Sequence, residues 1–177
     1  MNKISIEKFS ELFILEDGNP IQLEPWQIEN ITRPIFSTLD DRGLRQYNLA
    51  VIGLPKKNGK SSIASLAASY MLLADDEPDP EIYGAAGSRD QAKIIFQQTA
   101  KAIQRSPILN NEVRIYKDAI ERKDGNGLYR VLSADAALQH GLNQHCTIWD
   151  EAWNQPNYDL WEALTHSPAR RQPLSLV

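Results

Sequence analysis

Apolar positions recur with a helical period between residues 63 and 74. Ile63, Leu66, Ala67, Tyr70, Met71 and Ala74 fall at i, i+3, i+4, i+7, i+8 and i+11, which predicts a helix laying one apolar stripe on a core. Just upstream the pattern changes: residues 47–53 form a short apolar run that predicts a buried strand, with a lysine-rich loop between it and the helix. Downstream, the acidic, proline-containing stretch 75–80 ends the helix, residues 81–86 predict a second strand, and residues 91–105 another helix. Strand, helix, strand, helix is the order of a parallel sheet with right-handed crossovers. Residues 112–134 break into short extended pieces around Asp124-Gly125-Asn126-Gly127, a sequence that favours a tight turn between antiparallel strands. An apolar strand at 145–149 then ends in Asp150-Glu151, a helix is predicted at 157–164, and residues 173–177 read as the start of another core strand.

The N-terminal region is plainer. Residues 6–15 predict a short helix, residues 16–20 a turn, and Pro25 the first turn of a further helix. There is no internal repeat and no low-complexity tract. The last predicted strand stops in mid-pattern, so the expectation is a fragment of a longer protein.

Composition narrows the class. The chain has 177 residues, 42% apolar and 24% charged, which suits one soluble globular domain with a real core. Mean hydropathy is −0.44, and no apolar run approaches the ~18 residues of a membrane span. The N-terminus lacks the apolar stretch of a secretory signal. Cys146 is the single cysteine, so no internal disulfide forms and a reducing, cytosolic setting is expected. A net charge of −4 excludes a uniformly basic nucleic-acid binder and leaves DNA contact to a local surface or to another part of an assembly.

The loop between the first strand and the periodic helix is Leu54-Pro55-Lys56-Lys57-Asn58-Gly59-Lys60-Ser61. Phosphate binding needs inward backbone N–H groups, a glycine for close approach, a lysine ammonium for the β/γ oxygens and a hydroxyl for Mg2+, all at a helix N-terminus. Lys57, Asn58, Gly59, Lys60, Ser61 and Ser62 supply these parts in the strand–loop–helix setting that a Walker A match requires. The first glycine of that motif is replaced by Leu54. Taken alone, Gly59-Lys60-Ser61 also fits a solvated basic turn capping a helix.

Asp150 and Glu151 weigh against that bland reading. Both motifs would lie at the C-terminal edge of a parallel sheet, where ligands bind. Successive strand side chains diverge, so Asp150 can hold Mg2+ together with the Ser61 hydroxyl while Glu151 orients or deprotonates the attacking water. Lys56 is a candidate for the extra positive charge on the transferring phosphoryl group, or simply half of a solvated lysine pair. Arg45, Arg89, Arg170 and Arg171 are candidate donors to a neighbour, more readily read as surface charge. Gln27, after Trp26, has the donor and acceptor needed for an adenine edge. His140, His145 and His166 lack metal-ligand spacing, and the glycines do not make a dinucleotide fingerprint.

With these residues in view, the chain resembles the N-terminal ATPase domain of tailed-bacteriophage terminase large subunits. The likeness runs from about Leu23 to the end. It rests on Leu23-Glu24-Pro25-Trp26-Gln27, the lysine loop, Ala85-Ala86-Gly87-Ser88-Arg89-Asp90-Gln91-Ala92, Leu132-Ser133-Ala134-Asp135, His140-Gly141-Leu142-Asn143 and Ile148-Trp149-Asp150-Glu151-Ala152. Order and spacing together make it specific. The resemblance implies an α/β P-loop NTPase fold of the ASCE/RecA-like kind, with a mainly parallel sheet flanked by helices, and residues 1–177 as a truncated ATPase domain without the family's nuclease domain. It implies ATP and Mg2+ as cofactors, with Gln27 and Trp26 on the adenine, Lys60 and Ser61 at phosphate and metal, Asp150 on the metal and Glu151 as catalytic base. The family usually has arginine where this chain has Lys56, which keeps the charge but loses the bidentate fork. The implied partners are double-stranded DNA, a portal protein, a small terminase subunit and further copies in a ring, in the host cytoplasm at the capsid portal, with no membrane. The competing readings are a P-loop helicase-like translocase and a nucleotide-binding module inactive as an isolated fragment.

Overall fold

The computed structural model describes residues 4–86, 88–132, 142–151, 159–165 and 172–177. Seven strands among them make one sheet in the order β1-β7-β6-β2-β5-β4-β3. β2 (Glu81–Ala86), β6 (Cys146–Asp150), β7 (Leu174–Leu176), β1 (Leu49–Ala50) and β5 (Leu128–Val131) run parallel. β3 (Val113–Ile115) and β4 (Ala119–Arg122) extend the β5 side as an antiparallel meander. The turn read at Asp124 to Gly127 joins β4 to β5: the Asp124 carboxylate accepts from the Asn126 N–H at 2.9 Å. Gly127 has φ 134, and a Cβ there would sit 2.9 Å from Pro80 and Arg122 side-chain atoms, so only glycine fits.

Of the strand predicted at 47–53 only β1, Leu49–Ala50, forms, and it is not buried. β1 lies at the sheet edge, with Leu49 46% exposed and Val51 just after it 74% exposed, because nothing among the described residues pairs with its outer side. Its inner side is well tied: Ser175 N–H donates to Asn48, Val177 N–H to Ala50 and Ile52 N–H to Val177.

Helix α3 (Lys60–Leu73) departs from the expected single stripe in the other direction. Every residue from Ile63 to Leu73 is buried. The N-terminal segment is the reason. Helix α1 (Ile6–Ser10) and a π-helix at Ile28–Ser37, which continues the short α2 (Pro25–Gln27), cover the face of α3 that would otherwise meet water. The Tyr70 ring packs edge-on against Phe9 and Phe36 at 5.7 and 5.5 Å, and the Tyr70 hydroxyl donates to the Ile4 carbonyl at 3.1 Å. Full burial of side chains such as Leu66, Met71 and Leu72 is worth roughly 1.5–3 kcal/mol each. Ser65 and Ser69 tolerate this environment because their hydroxyls donate to the Ile95 and Ser65 carbonyls.

Helix α4 (Arg89–Arg105) begins two residues earlier than the apolar pattern predicts, because Ser88 caps it by accepting from the Gln91 N–H at 3.3 Å. Its buried side, including Ile95, Phe96 and Ile103, packs on α3 and the sheet. Helix α5 (Pro107–Glu112) follows at once, and α6 (Asp159–Thr165) matches the helix predicted at 157–164.

Candidate functional site

β1 hands the chain to the lysine loop, and the loop is shaped by its own backbone. Lys57 and Gly59 both occupy left-handed conformations, φ 68 and 80. The Asn58 side-chain amide donates to the Pro55 and Lys56 carbonyls, each at 3.3 Å, and closes the turn. Successive left- and right-handed residues turn N–H groups into a concavity suited to anions, and here the dipole of the 14-residue helix α3 adds to it. Glycine suits position 59: its φ of 80 disfavours a side chain, and a Cβ would crowd the end of the Gln27 side chain at 3.3 Å. The loop borders an open hollow of 530 Å³ running from Leu54 to Ser62.

The acids meet this loop. β6 ends at Asp150, whose Oδ1 lies 3.0 Å from Lys60 Nζ. A second hollow, 220 Å³, has Lys60, Asp150 and Glu151 around an apolar floor that includes Ile63, Ile95 and Ile148. The two hollows share Leu54 and Lys60 in their linings, so they lie side by side, one along the loop and one at the acids. Asp150 and Glu151 do diverge, although simple strand alternation is not the cause. Glu151 has φ 50, which swings the chain out of β6 and turns its carboxylate toward α4, where Gln91 Nε2 donates to Oε2 at 3.4 Å.

The other residues singled out in the sequence fall as follows. Gln27 is buried against the loop: its Oε1 accepts from the Glu24 N–H at 2.9 Å and its Nε2 donates to the Asn58 carbonyl at 3.3 Å. Both ends of that amide are therefore engaged in capping α2 and bracing the loop. Trp26 beside it is 38% exposed. Ser61 lies in the first turn of α3. The Ser62 hydroxyl accepts from Gln98 Nε2 at 3.0 Å, so this side chain ties α3 to α4. Lys56 and Lys57 are exposed at the loop's rim. Arg89 pairs with Asp118 at 3.2 Å on the surface. His140, His166, Arg170 and Arg171 lie outside the described residues.

Arg45 is a correction. It is buried rather than a surface charge, and it forks onto Asp75 with contacts of 3.2 and 2.8 Å. His145 Nε2 meets the same carboxylate at 2.7 Å. Burial by itself would raise the Asp75 carboxyl, but the His145 hydrogen bond and the Arg45 guanidinium outweigh it and hold the group below its ordinary 3.8. Cys146, next in the chain, is fully buried and its thiol is pushed up to about 12, which makes it inert packing.

Sequence reasoning overlooked Gln91, Gln98 and the Arg45–Asp75–His145 node. The place of Gln91 follows from the parallel pairing of β2 with β6, a strand order that the sequence does not show, which brings the first turn of the helix after β2 beside the residues after β6.

A loop-bearing strand separated by one strand, β7, from an acid-bearing strand, with the loop lysine against the first acid, defines a P-loop nucleoside triphosphatase. The model of the terminase large subunit ATPase domain matches residues 25–177, and the chain belongs to that family. It is 28% identical over 167 residues to the terminase large subunit of Enterobacteria phage HK97, covering 90% of this chain and 32% of that protein. The crystal structure of the HK97 large terminase superposes with a TM-score of 0.79 at 27% identity, over 97% of this chain and 36% of that one. A mutant of the Thermus phage P74-26 large terminase ATPase domain matches with a TM-score of 0.70 at 22% identity, over 96% of this chain and 67% of that one, a likeness of fold. The chain spans about a third of the length of the HK97 proteins it matches. No helix among the described residues is long and apolar enough to cross a membrane.

Proposed function

We propose that this chain binds Mg·ATP between the lysine loop and the paired acids and hydrolyses it to drive double-stranded DNA into a capsid. The observation that carries this reading is the 3.0 Å contact between Lys60 Nζ and Asp150 Oδ1. It joins two motifs far apart in sequence at a single point, with room beside them for a triphosphate.

The chemistry follows from the groups present. Lys60 exchanges its carboxylate partner for β- and γ-phosphate oxygens, while the N–H groups from Lys57 to Ser62 cradle the phosphates. Asp150 is thereby released, and its carboxylate with the Ser61 hydroxyl makes a hard oxygen donor set that fits Mg2+, a cation held by one or two carboxylates plus substrate phosphates and water. When bound, the ion supplies neutralisation of charge on the transferring group. Glu151, turned away from Asp150, orients the attacking water and accepts its proton. Lys56 brings positive charge to the γ-phosphoryl group from the loop rim. Adenine recognition by Gln27 requires it to exchange one of its two internal hydrogen bonds, with Trp26 offering a ring face alongside.

Membership of the terminase family supports the wider setting: a ring of copies on a portal protein, a small terminase subunit that selects the genome, and action in the host cytoplasm at the capsid portal. The test is ATP turnover of the wild-type protein, Glu151→Gln and Lys60→Ala, followed by DNA packaging into portal-bearing capsids. Loss of a general base lowers kcat about 10²–10⁴-fold. Undiminished turnover in Glu151→Gln contradicts the assignment. Turnover coupled to strand separation but not to packaging favours a helicase-like translocase.

A further inference from the structure

We propose that Gln91 is the positioning residue for Glu151, holding its carboxylate in the direction needed to take a proton from water. The inference rests on the reading of Glu151 as the base and adds to it the group that aims that base.

Glu151 leaves β6 through a left-handed backbone, φ 50, so the strand ladder does not fix its side chain. The first turn of α4 does. Gln91 Nε2 stands 3.4 Å from Glu151 Oε2. The orientation of the Gln91 amide follows from the Glu151 carboxylate, which only accepts and so takes the NH2 side, leaving Gln91 Oε1 to accept from the Ser88 hydroxyl at 3.4 Å. The same Ser88 oxygen accepts from the Gln91 N–H at 3.3 Å and caps α4. The chain of contacts thus runs from helix cap to amide to carboxylate. A neutral donor suits such aiming, because it steers one carboxylate oxygen without cancelling the charge and leaves Oε1 for water. A cation there would hold the carboxylate more strongly but weaken it as a base. The frame is stiff as well, since Ala86, at the end of the strand leading into α4, pairs with Asp150.

Two substitutions in the full chain separate aiming from mere packing. Gln91→Glu keeps the shape of the side chain and its acceptor for Ser88, but faces Glu151 with an acceptor and a like charge. Gln91→Ala removes the donor and adds no repulsion. Steady-state ATP turnover is measured with ADP affinity as the check on an intact site, alongside Glu151→Gln. Misaiming a reacting group by about 1 Å costs up to about 100-fold. The expected result is therefore a kcat about 30-fold lower for Gln91→Glu and about fivefold lower for Gln91→Ala, with KM and ADP affinity within about twofold of wild type. The reverse order, with Gln91→Glu close to wild type and Gln91→Ala impaired, makes Gln91 a packing residue and overturns the proposal. So does a rise in kcat in either variant, which means that the amide restrains the base, or a loss of ADP affinity in both. If Glu151→Gln retains full turnover, the base assignment fails first and this inference falls with it. If Glu151→Gln is dead and Gln91→Glu is normal, only this inference fails.

Discussion

Strand β6 carries a polar cluster at each end, and the two clusters use the same kinds of residue for opposite purposes. Before its first residue stands His145, locked with Arg45 onto Asp75; after its last stands Glu151, beside the Lys60–Asp150 pair. About 17 Å of strand, five residues at roughly 3.3 Å each, separates them. In the first cluster the arginine and aspartate side chains are 2% and 3% exposed, and the carboxylate receives three directed contacts. In the second, the lysine and aspartate are 39% and 15% exposed and share a single contact. A buried carboxylate held by three directed contacts is fixed. A charge left at the mouth of a hollow, with one exchangeable partner, remains available to a ligand. Burial and the number of contacts on the carboxylate, more than residue type, separate the structural cluster from the chemical one.

Substitutions that treat the two ends alike should therefore give unlike results. Lys60→Ala carries the largest effect: ATP turnover falls by about 100-fold or more, as expected when a preorganised cation is removed from the transferring phosphates. Its unfolding free energy changes by under about 1 kcal/mol, because a part-exposed pair contributes little. Next comes Asp75→Asn, which strands Arg45 in the interior. Breaking such a pair costs about 3–5 kcal/mol, visible as a drop in Tm of several degrees, while ATP affinity stays within about twofold where the protein is folded. A collapse of ATP affinity without a Tm change would erase the distinction between the two ends.

The pH dependence sharpens it further. The Asp75 carboxyl is held below 3.8 in the folded state. Its contribution to stability is full above that value and is lost as pH falls through the lower, folded-state pKa. Urea unfolding of the wild type from pH 6 down to pH 3 should show a steeper acid loss than Asp75→Asn. The smallest effect belongs to Ser62→Ala, where one hydrogen bond to Gln98 disappears. About 1 kcal/mol of stability is expected to go, with turnover within about twofold of wild type, because the Ser62 backbone N–H assigned to the phosphates is kept.

Much of this arrangement was legible in the chain itself. The alternation of apolar runs with a 3.6-residue period gave the parallel strands and their crossovers, and the position of Gly59-Lys60-Ser61 and Asp150-Glu151 at strand ends put both on one sheet edge. What stayed hidden depends on long-range neighbours. An apolar run reads the same in an edge strand as in a central one, so the exposure of Val51 followed only from the strand order. The polar Ser65 and Ser69 masked the burial of α3 on all sides, because nothing local shows that α1 and the π-helix return to cover it. Arg45 looked like surface charge because its partners, Asp75 and His145, lie 30 and 100 residues ahead. Gln27 illustrates the same point within the site: its chemistry suits an adenine edge, yet both ends of its amide are engaged internally.

A crystal structure with Mg2+ and a non-hydrolysable ATP analogue tests the central claim most directly. The account predicts that Lys60 Nζ leaves Asp150 for the β- and γ-phosphates, that Asp150 and Ser61 face the metal, and that the Arg45–Asp75–His145 contacts stay unchanged. A nucleotide bound away from the loop, or bound with the Lys60–Asp150 contact intact, would contradict it.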